Sequence, residues 1–443
     1  MRISIVGTGY VGLVSGACLA ARGHDVVCID KDARKVASIN AGQAPIYEVG
    51  LPELLSRHVG KELKATTDLA AAVADSEITL IAVGTPATDG KIDLRQVEGA
   101  ATEIGVAIGK KSGYHTVVVK STVISGTTDG AVRRALEAAS GKVAGRDFGL
   151  GMNPEFLTEG TAVEDFMKPD RIVLGGIDER TRDVLAAVYE SFKGTPFIRT
   201  NNTTAEMIKY ASNALLATMI SFANEFGRLC TAVGGVDIAD VMKGVHASAY
   251  LTSRLGEGRS VTAPIAKFLE AGCGFGGSCL PKDVTALIAQ GAHHDRPMQL
   301  LTSVLDINRT QPDEMLQLIT RHHKDLRGIK VSVLGLAFKQ DTDDVRESPA
   351  FPVIKRLREQ GATVTAYDPI VRAGAHPQLE GVRVVTSLRE ALADAAVVAL
   401  ITRWEEFQQT GAVLRELGRS PLVVDGRRCL NPADFANYEG IGR

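Results

Sequence analysis

The chain opens with MRISIV, runs into GTGYVG and, after a stretch of small residues ending at Arg22, reaches HDVVCID. Arg2 to Val6 reads as an apolar strand, Gly7, Gly9 and Gly12 fall in GxGxxG, and Asp25 to Ile29 reads as a second strand with Asp30 at its end. A strand, a glycine turn, a helix and a second strand in that order commit the start of the chain to a dinucleotide-binding βαβ unit. The glycines let backbone approach a pyrophosphate, and a carboxylate in the position of Asp30 accepts from an adenosine ribose hydroxyl. That carboxylate repels a 2′-phosphate, so NAD is expected as cofactor rather than NADP.

Further strands are expected at Ile78 to Val83, Thr116 to Lys120, Gly149 to Met152 and Arg171 to Gly175, between alanine-rich helical patterns such as Gln96 to Lys110. That alternation gives a doubly wound parallel sheet. VGTP (Val83 to Pro86) and KSTV (Lys120 to Val123) sit at strand ends, where open α/β sheets bind their ligands. Taken alone, either loop reads equally well as an ordinary turn. From Thr203 a long apolar-periodic helix begins, with Thr203 and Glu206 in capping-box spacing. Helical pattern returns over Val236 to Val245 and from Pro297, while Ala247 to Thr262, rich in Ser, Gly and Arg, reads as a loop. IKVSVLGLAF, a helix over Ser348 to Gln360 and ATVTAYDP then echo the opening of the chain, but Gly335 is followed by Leu-Ala-Phe and the fingerprint is missing. The expected α/β architecture has two Rossmann-like doubly wound domains, 1–202 and 316–443, joined by a central helical dimerisation domain, 203–315. The second Rossmann-like domain should bind something other than NAD.

A chain of 443 residues is too long for one ordinary core. Its formal charge of −2 offers no basic excess for nucleic acid, so anionic ligands need local sites. Six cysteines, at 18, 28, 230, 273, 279 and 429, show neither metal spacing nor a disulfide framework, and no metal is expected. The first residues lack a signal-peptide pattern and no apolar run reaches membrane-spanning length, so the reducing cytoplasm is the expected location.

The chemistry concentrates in GFGGSCLPKD, Gly274 to Asp283. Cys279 ends a glycine-rich loop just before Pro281 opens a helix, with Lys282 and Asp283 behind it. Helix starts stabilise anions, which favours the thiolate. A nucleophilic sulfur has a use where an aldehyde must be held covalently and oxidised again. The alternative is a buried structural cysteine, the reading given to Cys273 on the same loop. Lys209 and Asn213 are four apart on one helix, so they share a face where a cation and an amide can stabilise an oxyanion. Without other context Lys209 would read as a solvated surface charge.

GTGYVG, APIYEVGL, VGTP, KSTV, NPEFLTEGTAVEDF with PDRIVLG, AEMIKYASNA, GFGGSCLPKD and LGLAFKQDTDDVRESP occur here in the order seen in the nucleotide-sugar 6-dehydrogenases. Over nearly its whole length the chain resembles the UDP-glucose and GDP-mannose dehydrogenase family. The resemblance implies NAD-dependent, four-electron oxidation of a sugar C6 alcohol to a carboxylate, in a homodimer or higher homo-oligomer built on the central helix. It makes Cys279 the nucleophile that carries a thiohemiacetal and then a thioester. Lys209, Asn213 and Thr122 fall at catalytic positions, and Glu155 or Asp283 would serve the hydrolytic water. Family cofactor positions are Gly7, Gly9, Tyr10, Val11, Gly12, Asp30, Lys35, Thr85, Thr122, Glu159, Lys282 and Arg346. Lys35 and Arg346 can equally be an ordinary helix-face charge and a structural ion-pair member. Substrate positions are Glu155, Phe156, Leu157, Glu159, Lys209, Asn213, Phe268, Leu269, Gly272, Gly276 and Lys339.

Two departures bear on the substrate. Val49 stands where the family loop usually has proline, and STVISGT replaces an STVPPGT-like sequence. An arginine that reaches the neighbouring subunit in UDP-glucose enzymes has no clear counterpart, because Arg254 and Arg259 lie farther from Cys279 than its spacing expects. Tyr47 and FLEAG lean toward UDP-glucose, while HTVVVKSTV and AGRDFGLGMNPEFL lean toward GDP-mannose. UDP-glucose is the expected substrate, with GDP-mannose or dTDP-glucose as alternatives. A two-electron hydroxyacid dehydrogenase would need neither Cys279 nor a second Rossmann-like domain, and a non-catalytic NAD-binding protein would not need the four polar residues around the proposed chemistry.

Overall fold

The computed structural model describes every residue except Asp89, Glu257 and the side chain of Thr88. The chain forms two compact units, Met1–Ser212 and Asn213–Arg443.

In the first unit, strands β1 (Arg2–Val6), β2 (Asp25–Ile29), β3 (Leu63–Thr66), β4 (Ile78–Ile81), β5 (Thr116–Val119), β6 (Gly149–Met152), β7 (Ile172–Gly176) and β8 (Phe197–Thr200) make one sheet. Their order is 8-7-6-5-4-1-2-3. β1 pairs in parallel with β2 and β4, with Ile3 opposite Val26 on one side and Ile78 on the other. The one antiparallel pairing in this sheet joins β6 to β7. Strands β4 to β7 are buried throughout, as expected of a sheet covered on both faces. The two-residue period of a strand divides their side chains between two cores: Val118 and Leu174 join one, Val117, Val119 and Val173 the other.

Asp30 follows β2, and VGTP and KSTV follow β4 and β5. The reversal of strand order between β1 and β4 is the switch point at which open α/β sheets bind ligands. The sheet therefore places all three segments at that crevice.

Helix α1 (Tyr10–Ala21) follows the glycine turn, and helix α2 (Asn202–Val233) is the long helix expected from periodicity. Its start differs from expectation. Asn201 Oδ1 accepts from the Thr204 amide at 2.8 Å, while Glu206 accepts from the amides of Gly126 and Thr128 at 2.6 and 2.7 Å. The 203/206 spacing is therefore no capping box: Glu206 turns away from its own helix to hold the loop after KSTV.

The second unit carries the rest of α2, helix α3 (Leu280–His293) and helix α4 (Gln299–His322). Ala247 to Thr262, expected as loop, contains an antiparallel hairpin of β9 (Thr252–Gly256) and β10 (Arg259–Thr262). Most of its residues are exposed, so neither strand shows the buried and exposed alternation by which a strand is read from sequence.

The C-terminal sheet contains β11 (Lys330–Leu334), β12 (Thr363–Tyr367), β13 (Arg383–Val385), β14 (Val397–Leu400), β15 (Leu422–Asp425) and β16 (Tyr438–Gly440), in order 13-12-11-14-15-16 and all parallel. This is the second Rossmann-like sheet. Asp368 follows β12 as Asp30 follows β2, but it is fully buried and accepts from the amides of Leu336, Ala337, Ile370 and Val371 and from Trp404 Nε1. A carboxylate so occupied has no oxygen left for a ribose. The echo of the first domain is architectural and does not extend to the ligand.

Candidate active site

In the first unit the glycine turn is shaped for a close ligand. Gly7 has φ +103°, and a Cβ there would lie 2.6 Å from the Ala82 carbonyl oxygen. A Cβ on Gly12 would meet the Gly7 oxygen, whereas one on Gly9 would have nothing within 4 Å. Gly9 is also the N-cap of α1 and offers no side chain to satisfy the first-turn amides, so the helix start remains available to an anion.

Asp30 accepts from Thr8 N and Asp32 N, both at 3.0 Å, and from Thr8 Oγ1 at 2.5 Å. Burial pushes its carboxyl up, but these bonds and the Lys35 charge outweigh it and hold the pKa below the ordinary value. Asp30 is therefore ionised at neutral pH. Thr85 Oγ1 donates to the Thr122 carbonyl at 2.8 Å, which ties the VGTP loop to the KSTV loop. The cradle at Gly9, the uncapped helix start and the charged Asp30 fit a dinucleotide. Residues of that cradle would hold the pyrophosphate and Asp30 the ribose, and bound NAD would accept hydride.

Glu155 and Lys209 meet in the same unit. Lys209 Nζ lies 3.1 Å from Glu155 Oε1, with both side chains almost wholly buried. The other carboxylate oxygen accepts from the Leu157 amide at 2.7 Å. Phe156, between them in sequence, has Arg171 stacked at 3.9 Å and the Lys209 ammonium at 5.5 Å from its ring centre. Glu159 is partly buried further along the same loop. Glu48 anchors that loop: it accepts from the amides of Gly160 and Ala162 at 2.7 and 2.8 Å and from the Tyr10 hydroxyl. A buried carboxylate thus joins the dinucleotide loop to the NPEFLTEG loop. Glu48 was not expected as a site residue, although it lies inside a motif that the sequence displays.

In the second unit Cys279 is the N-cap of α3 and is exposed, while the other cysteines are buried or partly buried. Ser278 Oγ lies 3.7 Å from its sulfur. Asp283, 1% exposed, is held from two sides: Asn213 Nδ2 donates to Oδ2 and Lys282 Nζ to Oδ1, each at 2.6 Å. The glycine loop before Cys279 is clamped by amide side chains. Asn224 accepts from the Gly272 amide at 2.7 Å, Gln311 donates to the Gly272 carbonyl at 2.7 Å, and Asn308 accepts from the Phe275 amide at 2.8 Å. A Cβ on Gly276 would lie 2.1 Å from the Glu347 oxygen, and one on Gly277 would strike the Phe338 ring. Only glycine fits this packing.

Beside the loop is a cavity of about 290 Å³ lined by Phe268, Gly276, Phe338, Lys339 and Leu280 together with Lys267, Glu270, Arg403 and Arg427. Four cations against one carboxylate favour a polyanionic ligand. Arg403 Nη2 pairs with Glu270 at 2.9 Å, while Arg427 donates to the carbonyls of Ile401 and Gly274 at 2.6 and 3.0 Å. Of the expected substrate residues in this unit, Phe268, Gly276 and Lys339 line the cavity, whereas Leu269 and Gly272 do not. Arg346 is held by Asp344 through two nitrogens, at 2.8 and 2.7 Å. Arg403 and Arg427 were not expected, because no local motif marks an arginine whose role arises from packing against a loop far away in sequence.

Residues 1–193, 203–310 and 332–432 match, in turn, the NAD binding, central and UDP binding domain models of the UDP-glucose/GDP-mannose dehydrogenase family. The chain belongs to that family. It is an NAD-dependent nucleotide-sugar dehydrogenase. Full-length similarity agrees: it is 42% identical to a UDP-glucose 6-dehydrogenase of Haloferax volcanii, with 100% of each chain covered. A GDP-mannose 6-dehydrogenase of Pseudomonas putida is 39% identical, again with 100% of each covered. Among solved structures, a UDP-glucose dehydrogenase from Pyrobaculum islandicum is similar with a TM-score of 0.90 and 40% identity, covering 99% of this chain and 97% of that one. The UDP binding match falls on the sheet whose Asp368 is closed to a dinucleotide ribose. The dehydrogenase thus has two Rossmann-like sheets with different ligands, and the described residues include no helix long and apolar enough to cross a membrane.

Proposed function

We propose that this dehydrogenase oxidises the C6 hydroxyl of UDP-glucose to the carboxylate of UDP-glucuronate in two hydride transfers, with Cys279 holding the sugar between them. The observation that carries this reading is the exposed Cys279 at the start of α3, on a glycine loop that borders a cation-rich cavity in the unit carrying the UDP binding domain. The first hydride leaves C6 as an aldehyde. The Cys279 thiolate adds to that carbon, and the thiohemiacetal loses a second hydride to become a thioester. Water then attacks the thioester, releasing the acid and restoring the thiol. Lys209 and Asn213, one turn apart on α2, stabilise the C6 oxyanion, and Glu155 or Asp283 orients the water. Each sugar therefore reduces two NAD.

Several observations support UDP-glucose over a hydroxyacid. The UDP binding domain, the polyanion cavity and the exposed thiol have no purpose in a two-electron oxidation of a small acid. The full-length similarity to a GDP-mannose enzyme keeps GDP-mannose as the second reading. Cys279, Asn213, Asp283 and Lys209 together speak against a non-catalytic binder. The domain division 1–202, 203–315 and 316–443 belongs to the same reading, with α2 as the spine of the middle part. Along α2, Leu215, Phe222, Phe226, Leu229 and Val233 form an exposed apolar stripe, and the two phenylalanine rings lie 4.7 Å apart. Such a stripe suits a second copy of the same helix, which supports a homodimer.

The test is turnover of purified protein with UDP-glucose, GDP-mannose and dTDP-glucose, following NADH and product. Two NADH per UDP-glucuronate is expected. A preference for GDP-mannose would replace the substrate, and one NADH with a stable carbonyl product would overturn the covalent mechanism. Cys279→Ser should lose steady acid formation by at least about 1000-fold, because an alkoxide is both harder to form and harder to expel than a thiolate.

A further inference from the structure

Gly272 is held through both of its backbone groups. Asn224 Oδ1 accepts from its N–H and Gln311 Nε2 donates to its carbonyl, each at 2.7 Å, and both side chains are fully buried. Gly272 does not line the cation-rich cavity, but Ala271 before it and Gly274, Phe275 and Gly276 after it do. The same stretch is bonded to the segment that follows β15. Cys273 N donates to the Gly426 carbonyl at 2.9 Å, and Arg427 Nη1, from another cavity residue, donates to the Gly274 carbonyl at 3.0 Å. A Cβ on Gly272 would lie 2.8 Å from the Gly426 oxygen, so the backbone is packed here without slack. A shift of Gly272 is therefore passed to the cavity wall and to Arg427.

An amide side chain can present either of its ends, and at Gln311 a guanidinium makes the choice. Arg228, on α2, donates to Gln311 Oε1 from Nε at 3.0 Å and from Nη2 at 2.7 Å. A guanidinium has donors and no acceptor. In a reversed Gln311, two donors would face each other at the Arg228 end and two acceptors at the Gly272 end, and buried polar groups left so are costly. Arg228 is itself fixed on α4: Nη2 also donates to the Ile307 carbonyl at 2.7 Å and to Thr310 Oγ1 at 2.9 Å, and Glu314 Oε1 lies 3.6 Å from Nε.

We propose that Arg228 is a positioning residue for the nucleotide half of the substrate. By holding Gln311 in the one orientation that can donate to Gly272, it fixes the loop that forms part of the cavity wall. The inference rests on that cavity being the nucleotide site of the proposed function. Arg228 does not line the cavity, so it acts through Gln311. A loop released from this clamp has to be ordered when the nucleotide binds, and that ordering is subtracted from the affinity.

The test is calorimetric titration of the full-length protein with UDP, with GDP and with NAD. Arg228→Met should weaken UDP binding about tenfold and leave the NAD affinity near the wild-type value, because the dinucleotide cradle belongs to the first unit. Arg228→Lys, which keeps a donor for Gln311 Oε1, should recover part of the loss. Gln311→Met should weaken UDP binding to a similar extent, and the double variant should bind no more weakly than Gln311→Met alone. Unchanged UDP affinity in Arg228→Met overturns the proposal, and so do additive losses in the double variant. A fall in the number of binding sites at unchanged affinity, the result of partial unfolding alone, overturns it as well. Should Arg228→Met fail to fold, Gln311→Glu decides: a carboxylate keeps acceptors for Arg228 but has no proton for the Gly272 carbonyl, and wild-type UDP affinity there overturns the proposal equally. Wild-type protein that binds GDP in place of UDP would change the substrate of the proposed function, and the same comparison is then read with GDP. Wild-type protein that binds neither nucleotide would overturn the reading of the cavity and this inference with it.

Discussion

Asn213 Nδ2 and Asp283 Oδ2 are 2.6 Å apart, and Lys282 holds the other oxygen of the same buried carboxylate. Asp283 is therefore more than a helix-start acid: two donors converge on it from α2 and from its own helix. Replacing it with asparagine leaves one of those donors facing an amide NH₂, at a cost of about 1–3 kcal/mol. Asp283→Asn is expected to fold, to lose turnover by about 100-fold and to accumulate the acyl adduct on Cys279. Intact-protein mass spectrometry after mixing with substrate and NAD reads that adduct. Wild-type turnover would restrict Asp283 to anchoring Asn213 and Lys282.

Glu206 gives the fold a pH dependence. Burial pushes its carboxyl up to about 7, against the hydrogen bonds from Thr128 and Gly126 that favour the charged form. A raised folded pKa means that the native state binds the proton more tightly than the unfolded chain. The contribution is complete below the unfolded value near 4.5 and fades as pH rises through about 7. It amounts to at most about 3 kcal/mol by linkage. Glu206→Gln, which imitates the protonated acid, should flatten the fall in Tm between about pH 5 and about pH 8. A variant profile parallel to wild type would show that Glu206 does not titrate in this range.

The exposed stripe on α2 predicts assembly. Leu229 is 57% exposed, so a charge there leaves the isolated chain unharmed but places a carboxylate in an apolar helix pairing. Leu229→Glu should sediment as a smaller species than wild type at equal concentration, with Tm measured at low concentration unchanged. An identical sedimentation profile would move the contact to another surface.

What the sequence disclosed and what it withheld divide along the separation of partners. Gly7, Gly9, Gly12 and Asp30 are legible because the strand, turn and helix that need them are neighbours in the chain. Cys279 is legible for the same reason, since the glycine loop and the proline that place it are contiguous. Glu206 misled because its capping spacing is local, whereas the amides it serves belong to a loop near Gly126. Glu48, Arg228, Arg403 and Arg427 take their roles from packing against distant segments, which no spacing rule encodes. The β9–β10 hairpin was missed because its exposed strands lack the alternation that marks a strand with one buried face.

Glu48 shows how such a distant partner can be tested. Its two oxygens accept from the amides of Gly160 and Ala162, and a glutamine has only one oxygen to offer. Glu48→Gln must turn its NH₂ toward either the Ala162 amide or the Gly160 amide, and Gly160 keeps the Tyr10 hydroxyl as a second acceptor at 2.7 Å, so the cost is at most about 1–3 kcal/mol. The expected result is a lower Tm with faster proteolytic cleavage at residues 158–162. Tyr10→Phe removes the second acceptor of the Gly160 amide, so the cost of the two substitutions together should depart from the sum of each alone. Strict additivity would mean that Tyr10 and Glu48 act separately.

Gly9 and Gly7 separate folding from cofactor binding within one motif. At Gly7 the backbone has φ +103° and a Cβ would press on the Ala82 carbonyl, so Gly7→Ala should destabilise the first unit whatever ligand is present. At Gly9 the backbone has φ −71°, which alanine adopts without strain, and a Cβ would touch nothing within 4 Å. The space it would enter lies at the uncapped start of α1, where a pyrophosphate is to be held by amides. Gly9→Ala should therefore keep the wild-type Tm without ligand and lose the rise in Tm that NAD gives the parent protein. Its affinity for NAD, read by calorimetry, should weaken at least about tenfold, equivalent to about 1.4 kcal/mol. Unchanged affinity would mean that the cofactor backbone passes elsewhere. A lowered Tm without ligand would mean that Gly9, like Gly7, is required by the fold.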